Sequence, residues 1–273
     1  MEDISDITEY YNHEAEQEHT RLERHQLEYD LTWRYLERYL PPQGNLLELG
    51  AATGRYTLEL ARRGYQVTAI DLSEVQLERN RQQLAGEGLE GQVRMVVADV
   101  RDIHEVTDEV MARGFDAVLL MGPLYHLIVE ADRKLALQNV FDRLKPGGVI
   151  ISAFISRLGI LGDLMKNIPE WIEKQAEVRS IMRAGKDPDH DPRDGFRGYF
   201  ARVDEIAPLH EAMGFETLAL VGVESAISAD DESYNRLEGA RRKLWLDLLD
   251  EISAEPSIIG ASRHLLYVGR KPG

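Results

Sequence analysis

The residues with the clearest chemical potential lie in one short run: Glu48-Leu49-Gly50-Ala51-Ala52-Thr53-Gly54-Arg55-Tyr56. It falls between a predicted strand and a predicted helix. Small residues there permit a tight turn and let backbone approach a ligand closely. A ligand at such a turn meets the free N–H groups that open the following helix. Asp71 follows at the predicted C-terminal end of the next strand. A carboxylate at that point can accept hydrogen bonds from the 2′- and 3′-hydroxyls of a ribose. Strand, glycine loop, helix, strand and acid together form the grammar of a nucleoside-containing ligand. The dinucleotide fingerprint G-x-G-x-x-G does not fit, because Ala52 and Arg55 occupy its second and third glycine positions and the last Gly comes one residue early, at Gly54.

A second group of residues has acid–base or aromatic potential. Met121-Gly122-Pro123-Leu124-Tyr125-His126 follows a strongly apolar segment. A neutral imidazole at His126 can accept a proton near neutrality; otherwise Tyr125 is a core residue and His126 a helix cap. Tyr10, Tyr11, His25 and Tyr29 mark an N-terminal helical segment, with Tyr11 and His25 as candidates for covering a bound ligand or for ordinary helix packing. Gly198-Tyr199-Phe200 presents two aromatics that suit either a substrate lid or the core. Asp187, Asp189 and Asp191 superficially suggest a calcium loop, but Pro192 and Gly198 stand where its Gly and Glu are required. No spacing of ligating residues points to a metal.

Composition narrows the classes. The 273 residues include no Cys, which excludes disulfides, thiolate metal sites and a cysteine nucleophile. The formal charge is −16, which opposes binding to a phosphate backbone. With 43% hydrophobic residues the chain can bury a substantial core. No apolar run is long enough for a membrane span, and the acidic, polar stretch Met1–His19 is not a secretory signal. A cytoplasmic protein is expected.

The elements that must position these residues alternate in type. Thr8–Leu40 is charged and helix-friendly, with Leu22, Leu27, Leu31, Tyr35 and Leu36 at near-helical spacing, until Pro41-Pro42-Gln43-Gly44 stops it. Strands are predicted at Asn45–Leu49, Gln66–Asp71, Val93–Val97, Phe115–Met121, Val149–Phe154, Glu216–Val221 and His264–Val268. Helices are predicted at Gly54–Arg63, Ser73–Glu87, Glu130–Leu144, Asp204–Met213 and Leu237–Leu249. Ser73 and Gln76 form a capping-box pattern, and Lys145-Pro146-Gly147-Gly148 reads as a turn. Such β-α-β alternation predicts an α/β fold with a mostly parallel sheet covered on both faces. Two long interruptions, 156–198 and 222–262, read as lids. The expected organisation is an N-terminal helical cap over 1–42 and a main domain over 43–273 carrying both insertions.

The order and spacing of these motifs resemble class I S-adenosylmethionine (SAM)-dependent methyltransferases. Residues 48–54 resemble their E/D-x-G-x-G-x-G loop, with Ala52 in place of the middle glycine. Ala98-Asp99-Val100, Phe115–Leu120, Leu144–Gly148 and His264–Val268 are similar to later family segments. The resemblance covers about 40–155 closely and 199–270 more loosely, and it is similar in type to small-molecule enzymes with a Gly-Pro-Leu-Tyr-His loop. It implies a Rossmann-like seven-stranded sheet of order 3-2-1-4-5-7-6 with the last strand antiparallel. It implies SAM as cofactor and S-adenosylhomocysteine as product. Gly50, Ala51, Ala52 and Gly54 would line the methionine end, and Glu48 would hold the loop and reach the methionine amino group. Asp71 would bind the ribose, Leu72 and Val100 would sandwich the adenine, Asp99 would accept from its amino group, and Met121 would offer backbone. The loop carrying Tyr125 and His126 would face the transferable methyl, and the N-terminal segment would close over the cofactor. An alanine at position 52 is expected to hold φ below zero, unlike a glycine. The Asn/Asp-Pro-Pro-Tyr/Phe motif of enzymes that methylate base amines is absent. The expected activity is methyl transfer to O, N or S of a small molecule, without nucleic acid or membrane partners. A protein- or RNA-directed enzyme and a non-catalytic SAM-binding domain are the alternatives.

Overall fold

The computed structural model describes residues 1–13, 20–21, 23–103, 109–190 and 197–273. Leu22, Asp191 and Pro192, named above, lie outside the described residues. The strands are β1 (Asn45–Leu49), β2 (Gln66–Asp71), β3 (Val93–Val97), β4 (Phe115–Leu120), β5 (Leu144–Ser156), β6 (Phe200–Ala201), β7 (Glu216–Gly222) and β8 (His264–Arg270). They form one sheet of order β3-β2-β1-β4-β5-β8-β7, with β6 pairing beside β5. Every pairing is parallel except those of β8 with β5 and β7. Apart from the two-residue β6, which the sequence did not betray, this is the expected order with an antiparallel penultimate member.

Strand alternation divides the core into two layers. Leu47, Leu49, Val118, Leu120 and Ile150 face one side; Leu46, Ala117, Leu119, Val149 and Ile151 face the other. This is period-2 patterning in strands buried on both faces. The helices are α1 (Ser5–His13), α2 (Gln26–Tyr39), α3 (Arg55–Arg62), α4 (Glu74–Glu87), α5 (Glu109–Arg113), α6 (Pro123–His126), α7 (Glu130–Arg143), α8 (Leu161–Asn167), α9 (Gln175–Ala184), α10 (Val203–Glu211), α11 (Asp231–Asn235), α12 (Gly239–Ile252) and α13 (Pro256–Ile259). Ile7 of α1 and Ala136, Leu137 and Val140 of α7 join the first layer. Leu27, Leu31 and Leu36 of α2 and Leu60 of α3 join the second. The N-terminal helices therefore pack on opposite faces of the sheet.

Register places the functional row. Leu49 pairs with both Ile70 and Leu120, and Asp71 pairs with Val97. The residues just beyond these ends, Gly50, Leu72, Ala98 and Met121, consequently share one edge of the sheet. Lys145–Gly148 is not a free turn before β5. Partners step from Phe115–Leu144 to Ala117–Val149, so the segment is an irregularity carried within one long strand. Among the described residues no helix is long and apolar enough to cross a membrane.

Candidate functional site

Backbone hydrogen bonds build the glycine loop tightly. The N–H groups of Gly50 and Ala51 both donate to the Ile70 carbonyl, at 2.9 and 3.1 Å. Gly50 has φ +77°, and a Cβ there would stand 2.7 Å from Pro123 Cδ. Gly54 has φ +90°, and a Cβ there would collide with the Asn80 side chain. Ala52 departs from expectation: its φ is +46°. The alanine occupies the left-handed region that a glycine would occupy at no steric cost, so the loop keeps its shape and carries the strain. The Asp71 carboxylate explains how. Its Oδ2 accepts from the Ala52 N–H and its Oδ1 from the Ser73 N–H, both at 2.9 Å. Asp71 thus fixes the loop as well as facing the space above it.

That space is a partly open cavity. It is lined by Gly50, Ala52, Asp71, Leu72, Asp99, Val100, Met121, Tyr125 and His126 from the sheet edge, by Ile4 just before α1, and by Ile7, Thr8 and Tyr11 from α1. α1 is fastened across it: Gln76 Nε2 donates to the Tyr11 carbonyl at 3.0 Å, and Ser73 Oγ donates to Asn12 Oδ1 at 2.6 Å. The Ser73 hydroxyl also accepts from the Gln76 N–H at 3.1 Å, so half of the predicted capping box forms. The other half does not, because the Gln76 side chain turns into the cavity wall. Its Oε1 is buried without a hydrogen-bond partner. A buried, unpaired acceptor is costly to the protein alone and fits a ligand that brings a hydroxyl or an ammonium. Sequence reading missed Gln76 because its spacing from Ser73 had a purely structural explanation.

Several expected residues stand elsewhere. Glu48 does not line the cavity; it is buried beneath the loop, where Oε2 accepts from Thr57 Oγ1 at 2.6 Å. Desolvation pushes its carboxyl up to about 8 against the lowering effect of the Thr57 hydrogen bonds, and the nearby Asp71 charge adds to the rise. Ala51 packs with Ala69 and Leu77, and Gly54 is filled out by Asn80 rather than by the cavity. Asp99 lines the cavity but is gripped by Arg101, whose Nη2 and Nε donate to it at 2.6 and 3.0 Å. Tyr199 and Phe200 line two other depressions. The Tyr199 hydroxyl donates to Glu205 Oε2 at 2.5 Å.

His25 is also remote from the cavity. Its Nδ1 stands 3.1 Å from Asp231 Oδ2, within a cluster of charged groups that the sequence did not announce. Arg263, 2% exposed, contacts Asp163, Glu224 and Asp231 at 2.6, 3.2 and 3.0 Å. His264 Nδ1 lies 2.5 Å from Glu224 and 3.6 Å from Glu28, and Arg21 pairs with Glu28 at 2.7 Å. Although burial opposes it, the Glu28 and Glu224 carboxylates hold the His264 imidazolium above its ordinary value. The ligating atoms of Glu28, Glu224 and His264 lie within 4.8 Å of one another, close enough for a metal ion. Arg21 and Arg263 already supply positive charge there, so the cluster reads as an ion-pair network.

In the wall of the same cavity His126 meets Tyr11, which the sequence offered only as part of a covering segment, rather than the Tyr125 hydroxyl. Tyr11 Oη and His126 Nε2 are 2.7 Å apart, and His126 Nδ1 is 3.4 Å from the Arg197 carbonyl. A carbonyl only accepts, so the ring proton sits on Nδ1 and Nε2 receives the Tyr11 hydroxyl. Desolvation, reinforced by the Arg197 charge, pushes His126 down to about 4. The imidazole is therefore neutral at physiological pH, a weaker base than an exposed histidine but with its Nε2 lone pair available as an acceptor. The Tyr125 ring lies 4.8 Å from it.

The sheet order, the strained loop over an acidic strand end and the lidded cavity at the parallel-strand edge define the class I SAM-dependent methyltransferase fold. Residues 46–148 match the family described as a methyltransferase domain. The carboxy-S-adenosyl-L-methionine synthase of Aeromonas hydrophila is 35% identical over 119 residues, which is 42% of this chain and 44% of that protein. The tRNA 5-carboxymethoxyuridine methyltransferase of Escherichia coli is 29% identical over 142 residues, 50% of this chain and 51% of that one. The chain thus spans about half the length of the curated relatives it matches. A SAM-dependent methyltransferase from Methanosarcina mazei has the same fold, with TM-score 0.58 and 16% identity over 87% of this chain and 97% of that one. The CcbJ methyltransferase from Streptomyces caelestis aligns with TM-score 0.55 and 16% identity over 89% of each chain.

Proposed function

We propose that this protein transfers the methyl group of SAM to an O, N or S atom of a small molecule. The observation that carries the reading is the Tyr11–His126 pair in the wall of a cavity that the Asp71-pinned loop also lines. SAM, when bound, supplies an electrophilic methyl on a sulfonium. The residues that would hold it are Asp71 at the ribose, Leu72 and Val100 beside the adenine, Asp99 near its amino group, and Gly50, Ala52 and the Met121 backbone along the remaining wall. Gln76 Oε1 adds an acceptor for a hydroxyl or ammonium. Glu48 and Gly54 support the loop from beneath.

The chain's own residues then handle the acceptor. α1 excludes water from the cavity, which strengthens electrostatic interactions inside it. Nε2 of His126 can take a proton, directly or through the Tyr11 hydroxyl, from an attacking group. Alignment of that group supplies much of the remaining acceleration. A small acceptor is favoured because α1 lies across the cavity and because the chain carries a charge of −16. The Escherichia coli relative acts on tRNA, and that substrate class is the comparison to beat. The test is S-adenosylhomocysteine release from SAM, measured against a panel of small hydroxyl, amine and thiol acceptors and against bulk tRNA. Turnover with at least one small acceptor and none with tRNA is expected. Turnover with tRNA alone overturns the reading.

A further inference from the structure

Four arginines are buried among the described residues: Arg101, Arg133, Arg157 and Arg263. Three are neutralised. Arg101 pairs with Asp99 and Asp132, Arg157 with Glu205, and Arg263 with three carboxylates. Arg133, 5% exposed, has no carboxylate partner among the described residues. Its Nη1 donates to the Leu127 carbonyl at 2.5 Å, its guanidinium carbon sits 3.6 Å above the Tyr199 ring, and its buried Nε donates to nothing. A buried guanidinium left this way is costly unless something completes it.

Arg133 lines a second cavity, next to the first. Leu127 borders the first cavity and Ile128 the second, and the Tyr199 N–H donates to the Tyr125 carbonyl at 2.7 Å across the same turn. The second cavity has an apolar wall that includes Phe154, Ile206 and Leu209. Lys186 also lines it, with Nζ donating to the Ile128 carbonyl at 3.0 Å and no ion pair among the described residues. The neighbouring carboxylates are engaged. Glu130 pairs with Lys134 at 2.6 Å, and Glu205 is held by Arg157 and the Tyr199 hydroxyl. Two cations that no carboxylate among the described residues pairs therefore border a recess whose wall is part apolar and part charged, the latter from Glu130, Lys134 and Glu205, in a chain whose overall charge is strongly negative.

We infer that this cavity binds the carboxylate of an amphipathic small acid, with Arg133 and Lys186 holding the anion and the Phe154–Ile206–Leu209 wall taking its apolar body. Its place beside the Tyr125–His126 turn makes that acid the class of methyl acceptor, a step that rests on the methyltransferase reading. The guanidinium supplies a fixed charge and the Lys186 ammonium a second donor for the carboxylate.

The experiment is a thermal-shift titration of the full chain with phenylacetate, its neutral analogue phenylacetamide, and inorganic phosphate. Phenylacetate should stabilise the protein saturably, and the amide and phosphate should bind at least about tenfold more weakly, since one lacks the charge and the other the apolar body. Lys186→Met should weaken phenylacetate about tenfold, and Arg133→Met should abolish the effect. Lys186 is partly exposed, so its variant remains informative if Arg133→Met fails to fold. Equal binding of acid and amide, tighter binding of phosphate, or unchanged phenylacetate affinity in Lys186→Met overturns the inference. SAM calorimetry on the same samples separates the two readings: loss of SAM binding counts against the cofactor site, and loss of acid selectivity counts against this one.

Discussion

Single residues carry most of the chemistry, and three of them make predictions. Ala52 holds φ +46° because Asp71 grips its N–H from one side of the loop. Ala52→Gly should stabilise the protein by about 0.5–1 kcal/mol, the left-handed strain removed less the entropy gained by the unfolded chain. Urea unfolding measures this, and a loss of stability would count against the strain. His126 titrates at about 4 in the fold against 6.5 as its ordinary value. The unfolded chain binds the extra proton in that window, so the stability contributed by the neutral imidazole is complete above about pH 6.5 and is lost as pH falls toward 4. The rate should stay flat across neutrality on this group's account and fall only near its folded value; a half-maximal point near 6.5 assigned to His126 contradicts its burial. Glu48 runs the opposite way, from 4.5 up to about 8. The folded state holds its proton, so its contribution is complete at low pH and disappears as pH rises through about 8. Glu48→Gln should flatten the stability profile between pH 5 and 8 while preserving the fold, as read by thermal unfolding at a series of pH values. The loop itself was readable in the sequence because its glycines, its acid and their spacing are local. The positive φ of Ala52 was not, because a hydrogen bond from outside the loop imposes it.

At the level of elements, α1 and the ion-pair cluster do different work. α1 is short and contributes Ile7 to the core, while Ile7, Thr8 and Tyr11 line the cavity. Removing residues 1–13 should leave the sheet folded, by circular dichroism, and weaken SAM binding by roughly tenfold, the worth of about 1.4 kcal/mol of enclosing contacts. Undiminished affinity would show that α1 merely caps the core. The cluster around Arg263 joins α2, α8, α11 and the start of β8. Arg263→Met strands three carboxylates and should destabilise by about 3–5 kcal/mol, measured by denaturant unfolding. The alternating strands and helices were legible from hydrophobic periodicity, since each is a local pattern. The cluster was not, because Glu28 and His264 meet only through the fold. His25 was misplaced for the same reason: its helix was foreseen, but the direction it faces is set by Asp231, 206 positions away in the chain.

The whole molecule sets what can reach the site. The parallel strand ends gather Gly50, Asp71, Ala98 and Met121 along one edge, and α1 and the turn at Tyr125 and His126 close over them. Motif order along the chain was enough to foresee this edge. Gln76 and Arg133 escaped notice because a helix-surface glutamine and an arginine carry no signal until burial leaves one of their atoms without a partner. The most direct measurement is calorimetric titration of SAM into the full chain and into Asp71→Ala, with thermal unfolding as the folding control. Saturable binding by the parent chain and at least about a 30-fold loss in the folded variant, near 2 kcal/mol for charged hydrogen bonds, is the expected result. No binding by the parent chain, or equal binding by both, would contradict the cofactor site on which the proposed activity depends.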